Sequence, residues 1–304
     1  MTIFGGNDYA YGRTHKQNYY VHIFHLLLLS VSIYRDFFRK KAVHQPEVFH
    51  RLAILIAARN EETVIGSLID SIQACDYPMD QIDIYVGADN CTDQTAQVAK
   101  QHGAIVYERA DTTHVGKGYV LNFLLDKIKH VRNEQYDAYI VLDADNILDP
   151  GFLRAINQTY TDGHEIVTCY RNSKNYGSNW ISAGYALWFL REAKYLNAAR
   201  MAIGSSSAVS GTGFLFSDKV INDYNGWNFF TLTEDIEFTI SNVSRGVTIG
   251  YSADAILYDE QPTGFGSLGI SVCAGQRAIY RCSGSMAALF LRGSSMAASP
   301  AMTC

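Results

Sequence analysis

From Leu52 onward, short apolar runs alternate with stretches of helical periodicity, and this alternation restricts the fold more than any other feature of the chain. Leu52 to Ile56 is uninterruptedly apolar, as a strand covered on both sides must be. Val64, Ile65, Leu68, Ile69 and Ile72 then recur at helical spacing, with Asn60 placed as the N-cap and Glu61 and Glu62 at the positive end of the helix dipole. Further strands are expected at 82–86, 104–107, 139–142 and 166–169, and helices at 95–101, 119–129, from 150 to 160, and along Trp180 to Met201. The pattern predicts an α/β fold with a mostly parallel central sheet carrying helices on both faces. A chain of 304 residues is long enough to bury such a core.

A formal charge of −5 argues against a nucleic-acid backbone as the main ligand, so no nucleic-acid partner is expected. Six cysteines lie far apart with no Cys-x-x-Cys pair, and they are read as reduced thiols that hold no metal. Residues 1–50 form an N-terminal segment whose apolar run, Val21 to Ile33, is broken by His22 and His25. A membrane-spanning helix requires roughly 20 residues, and this run is shorter. Arg35, Arg39, Lys40 and Lys41 follow it, the flank of a cytosolic-side anchor. A degraded membrane helix and a surface-lying amphipathic segment both remain open.

Three acidic motifs fall at strand ends or helix starts, where open α/β sheets hold their ligands. Asp89 follows the second strand in Gly87-Ala88-Asp89-Asn90-Cys91-Thr92-Asp93, Asp143-Ala144-Asp145 follows the fourth, and Thr233-Glu234-Asp235 opens a helix towards Ser244. In Asp-x-Asp a turn directs two carboxylates at one hard cation, Mg²⁺ or Mn²⁺, which stabilises the charge of a departing diphosphate. A plain turn or helix cap is the competing reading of that motif. Gly116-Lys117-Gly118 places one cation before a helix N-terminus, suited to a phosphate or a base edge, but lacks the spacing of a Walker loop. Asp235 is the candidate general base for an attacking hydroxyl. Gly211-Thr212-Gly213, after Ser205-Ser206-Ser207, offers close backbone approach to a sugar ring. Trp180, Tyr185, Trp188 and Trp227 are candidates for stacking on carbohydrate, with core packing as the alternative.

Taken in order, Ala57-Ala58-Arg59-Asn60-Glu61-Glu62, Asp89-Asn90-Cys91-Thr92-Asp93, Gly116-Lys117-Gly118, Asp143-Ala144-Asp145 and Thr233-Glu234-Asp235 resemble the processive family 2 glycosyltransferases, such as cellulose, chitin and hyaluronan synthases. The resemblance implies a GT-A fold over residues 51–263, an inverting mechanism, a UDP-sugar donor and a glycan or lipid-linked acceptor at the cytoplasmic face of a membrane. It also implies roles: Ala57, Arg59, Glu61, Asp89, Lys117 and Asp143 for the nucleotide, Asp145 for the metal, Gly211, Thr212, Gly213 and Glu234 for the acceptor, and Asp235 as base. A sugar nucleotidyltransferase shares the layout but needs a Gly-rich loop after the first strand, where this chain has Ala57-Ala58-Arg59-Asn60.

The family's Gln-x-x-Arg-Trp motif is absent, and residues 264–304 turn abruptly to Gly, Ser, Ala and Met. Read one base out of register, with permitted synonymous codons, the stretch from Gly266 to Ala287 spells a segment containing Gln-Arg-Val-Arg-Trp. A frameshift near 263–266 is therefore expected, and nucleotides in that window that allow no such frame would refute it. Since the resemblance gives that motif's Arg and Trp a part in binding donor diphosphate and acceptor, the chain is expected to bind nucleotide but turn over slowly or not at all.

Overall fold

The computed structural model describes residue 26 and residues 44–264. Apart from residue 26, the apolar run 21–33 lies outside the described residues, as do residues 265–304 with Cys273, Cys282 and Cys304, while Cys75, Cys91 and Cys169 are free thiols. No helix of the described residues is long and apolar enough to cross a membrane.

Eight strands form one sheet: β1 (Leu52–Ala58), β2 (Ile82–Asp89), β3 (Ile105–Arg109), β4 (Ala138–Asp143), β5 (Ile147–Leu148), β6 (Ile166–Ser173), β7 (Phe214–Ser217) and β8 (Ile249–Asp259), in the order β3-β2-β1-β4-β7-β6-β8-β5. The first four strands in that order run parallel, and β6 and β8 are parallel to each other. The departures from a wholly parallel alternation are β7, which enters antiparallel between β4 and β6, and the short β5, antiparallel to β8. Because β7 runs against β4, the loop preceding it arrives at the carboxyl end of β4, beside the Asp-x-Asp turn.

Helices α1 (Ile65–Gln73), α2 (Thr95–Gln101), α3 (Lys117–Lys127), α4 (Phe152–Thr161), α5 (Trp180–Leu190), α6 (Ala198–Ala202), α7 (Asp218–Tyr224) and α8 (Glu234–Ser244) complete the fold. A π-helical stretch, Arg191–Asn197, joins α5 to α6, so the long helix expected from Trp180 is present with a bulge in it. The run Leu52 to Ile56 is completely buried, as its composition requires. Leu52, Ile54 and Ile56 pack with Ile65, Leu68 and Ile72 of α1 and Phe152 and Ile156 of α4. Ala53 and Leu55 face the other way, towards Val120, Leu121 and Leu124 of α3 and the aromatic cluster of Phe214, Phe216, Trp227, Phe229 and Phe238.

One local expectation fails. Asn60 does not cap α1, which begins only at Ile65 after a turn. Asn60 instead adopts a left-handed backbone with φ 57°, a conformation that asparagine tolerates better than most residues. Its side-chain oxygen accepts the Thr92 amide at 2.8 Å. The Glu61 amide donates to the Thr95 hydroxyl at 2.8 Å, and the Gln94 amide donates to the Glu62 carboxylate at 2.8 Å. The polar residues that look like a capping signal thus clasp the loop after β1 to the loop after β2.

Candidate active site

The parallel strands bring their carboxyl ends to one edge, where register sets Ala57 of β1 against Asp143 of β4 and Gly87 of β2. Asp89 closes β2 on the same edge, with β1 between it and β4. Lys117, the first residue of α3, reaches across to this edge: its ammonium hydrogen-bonds the Asp143 carboxylate and donates to the Gly211 carbonyl at 2.8 Å. The lysine that the sequence offers to a phosphate or a base edge thus also ties α3 to the end of β4 and the loop before β7. Gly118 lets the start of α3 pack directly on the backbone at Phe229, since a Cβ there would stand 2.0 Å from the Phe229 carbonyl oxygen.

Glu234 and Asp235 open α8 and face the same cluster. Asp235 Oδ2 lies 3.8 Å from where a Gly211 Cβ would be, and Arg171 Nη1 lies 3.9 Å from that point. Burial raises the Asp235 carboxyl above the ordinary aspartate range, opposed by the Ile236 amide at 2.8 Å and by the Lys117 charge. Burial likewise pushes Glu234 up to about 7, with Lys117 opposing the shift and Asp235 adding to it. Asp145 is pushed up to about 6 by burial and by the negative charges of Asp259 and Asp143. Glu61 is raised by burial and then by Asp93 and Asp143, so it borders the same negative field.

A network joins these parts through residues that sequence reasoning missed. Asn146, fully buried, accepts the Asp143 amide at 3.0 Å and the Thr212 hydroxyl at 2.5 Å on its carbonyl oxygen. Its amide nitrogen donates to Asp259 at 2.8 Å and to Asp145 at 3.3 Å. Asp259, at the end of β8, is held in turn by the Arg171 guanidinium, whose Nε donates at 2.9 Å, and by Gln261 at 2.9 Å. The position of Asn146 directly after Asp-x-Asp was the one available signal, because the pairs with Thr212 and Asp259 span 66 and 113 residues. Asp89 is likewise paired, with Arg109 Nη1 at 2.6 Å, and both side chains are buried.

Gly211, Thr212 and Gly213 line the loop into β7, and the Gly213 amide donates to the Val141 carbonyl at 2.9 Å. Gly213 has φ 66°, a backbone conformation that glycine adopts without steric cost. A Cβ there would also stand 2.3 Å from the Cys169 sulfur, so glycine is required on both counts. Arg59 stands exposed directly after the carboxyl end of β1. Trp227 is buried in the aromatic core and does not present a surface to sugar, whereas Trp180 and Trp188 are exposed on α5.

The fold thus gathers Glu61, Lys117, Asp143, Asp145, Gly211, Thr212, Glu234 and Asp235 into one acidic cluster at the sheet edge, with Arg171 and Lys174 beside it. Residues 50–277 match the family model described as Glycosyltransferase like family 2. The chain belongs to that family. The match runs past residue 263, where the sequence alone places the boundary. Among curated relatives, the beta-monoglucosyldiacylglycerol synthase of Synechocystis sp. is 26% identical over 198 residues, covering 63% of this chain and 40% of that protein. The chain therefore spans less than half the length of this relative. Among solved structures, a mannosyltransferase from Pyrobaculum calidifontis in complex with GDP-Man and Mn²⁺ superposes with a TM-score of 0.59 at 16% identity, covering 79% of this chain and 67% of that one. The S. aureus TarS 1-349 structure in complex with UDP gives a TM-score of 0.51 at 16% identity, covering 69% of this chain and 60% of that one. The chain has the GT-A fold.

Proposed function

We propose that this glycosyltransferase moves a hexose or N-acetylhexosamine from a UDP-sugar to a glycan or lipid-linked acceptor, with inversion at the anomeric carbon, at the cytoplasmic face of a membrane. The observation that carries this reading is the convergence of Lys117, Asp143 and Gly211 with Asp235 at one sheet edge. The ionised Asp235 accepts the proton of an acceptor hydroxyl as that oxygen bonds the anomeric carbon, and the bond to the nucleoside diphosphate breaks on the opposite face. Burial raises the Asp235 pKa, which strengthens it as a base. Lys117 orients Asp143 and the acceptor-side loop together through its two hydrogen bonds. Asp89, neutralised by Arg109, is fixed at the donor side as a hydrogen-bond acceptor for the nucleotide.

Among the described residues no group of three His, Cys, Asp or Glu side chains stands ready as a metal cage. The donor set nonetheless fits a hard cation, because burial and the negative charges of Asp259 and Asp143 raise the Asp145 carboxyl even with the Lys174 charge opposing them. Asp145 and Asp143 would hold Mg²⁺ or Mn²⁺, which would neutralise the leaving diphosphate as a Lewis acid. Replacing either by alanine is expected to remove the Mn²⁺-dependent part of UDP binding in calorimetry, and unchanged affinity in both variants sinks the metal assignment.

The missing Gln-x-x-Arg-Trp motif supports a second reading, a nucleotide-binding chain with impaired turnover. UDP-sugar transfer or hydrolysis with Mn²⁺, measured beside calorimetric UDP binding, separates the two: binding without turnover favours the impaired form, and neither binding nor turnover rejects both.

A further inference from the structure

Helix α5 reads Trp-Ile-Ser-Ala-Gly-Tyr-Ala-Leu-Trp-Phe-Leu, without a single charged residue. A helix this apolar is normally enclosed on all sides, yet only Ile181 and Ser182 are buried. Trp180, Leu187 and Trp188 are 70%, 66% and 58% exposed. With the exposed Gly184 they recur at i, i+4, i+7 and i+8, so they form one stripe along the outer face. Tyr176 before the helix and Ile203 after it are exposed as well. A contiguous exposed apolar surface of this kind marks a contact face.

Charge selects the partner. Within a chain of net charge −5, residues 180–204 carry Arg191, Lys194 and Arg200 against the single acid Glu192, which pairs with Arg200 at 3.1 Å and leaves Arg191 and Lys194 as the excess. Arg191 lies 5.2 Å above the Trp188 ring, and Lys194 is exposed one turn further on. Exposed tryptophans followed by basic side chains suit the boundary between acyl chains and anionic headgroups. A second copy of the chain fits less well, because a two-fold contact through this stripe would set the basic residues of both copies along one interface.

The inner side of α5 borders the catalytic cleft. The Phe189 ring lies under the Arg171 guanidinium at 4.1 Å, and Arg171 Nη1 and Asp235 Oδ2 flank Gly211. One helix diameter, roughly 10 Å, therefore separates the outer stripe from the wall of the cleft. We propose that the outer face of α5 docks on an anionic lipid surface and so brings the hydroxyl of a lipid acceptor to the Asp235 cleft. The proposal rests on the reading of that cleft as a sugar-transfer site with a lipid-linked acceptor.

The test is sedimentation of the full chain with vesicles of phosphatidylcholine alone and of phosphatidylcholine mixed with phosphatidylglycerol. Wild type is expected to favour the anionic vesicles, and Leu187→Glu with Trp188→Glu to weaken that binding roughly tenfold or more. Val131→Glu, at an exposed apolar residue after α3, is the control and is expected to leave vesicle binding unchanged. Brominated acyl chains are expected to quench the tryptophan emission of wild type, and Trp188→Phe to retain vesicle binding with less quenching. Equal sedimentation of the double variant and wild type, or no quenching in wild type, overturns the proposal, as does lipid-free dimerisation that the double substitution abolishes. Calorimetric UDP binding, expected to be the same in all variants, keeps the outcomes apart: its absence in wild type rejects the site reading, whereas its retention with lost selectivity for lipid rejects only the docking face.

Discussion

Replacing Asp235 with asparagine is expected to lower UDP-sugar turnover by ~10²- to 10⁴-fold, the usual worth of a positioned general base. UDP affinity should stay the same, because the base acts on the acceptor hydroxyl and has no part in holding the nucleotide. The amide keeps the size of the side chain but cannot take a proton. The pH profile supplies an independent check. Burial raises Asp235 above the usual carboxylate range, and the ionised form is the active one, so wild-type turnover falls as pH drops through that raised value. The asparagine variant should lose this acid limb. A variant with wild-type turnover removes Asp235 from the mechanism, and equal loss of UDP binding would make its role structural.

Trp227→Ala should destabilise the fold by about 3–5 kcal/mol, a large share of the ~5–15 kcal/mol typical of a domain. The indole is 0% exposed and lies 5.2 Å from Phe238, stacked at 15°, with Phe216 at 5.5 Å and Phe229 at 5.3 Å. Its ring nitrogen donates to the Phe229 carbonyl at 2.9 Å, so truncation both opens a cavity and strands a buried acceptor. Phe238 belongs to α8, the helix that presents Asp235, so turnover should fall with stability. Trp227→Phe should recover most of the packing but not the hydrogen bond. Urea unfolding measures both, and a shift below about 1 kcal/mol for the alanine variant contradicts this packing.

Much of this architecture was legible where burial on both faces leaves an unbroken apolar run. β1 and β4 announce themselves this way, and α2 and α8 fall where the residues place them. Other elements were hidden because their signals are short or mixed. β5 has two residues, β7 has four directly after a glycine turn, and β8 interleaves Ser, Asp and Tyr with its apolar positions. Trp227 could not be told from a sugar-stacking residue, since composition does not reveal which aromatic side chains find one another. The acidic motifs were readable one by one, but their partners were not. Arg171 and Asp259 are separated by 88 residues and meet because β6 and β8 pair in parallel, while the antiparallel entry of β7 beside β4 brings Thr212 to Asn146.

Asn146 has a consequence for attempts to exchange donor or acceptor preference among related enzymes. One amide group is shared by the Asp143 backbone, the Thr212 hydroxyl and the Asp259 carboxylate, which come from three separate stretches of chain. A chimera that imports a foreign strand-end turn alone would leave two of those stretches shaped for a neighbour that has gone. The segments around 143–146, 210–213 and 259–261 form a unit of inheritance, and a graft must carry them together to keep the geometry it seeks to transplant.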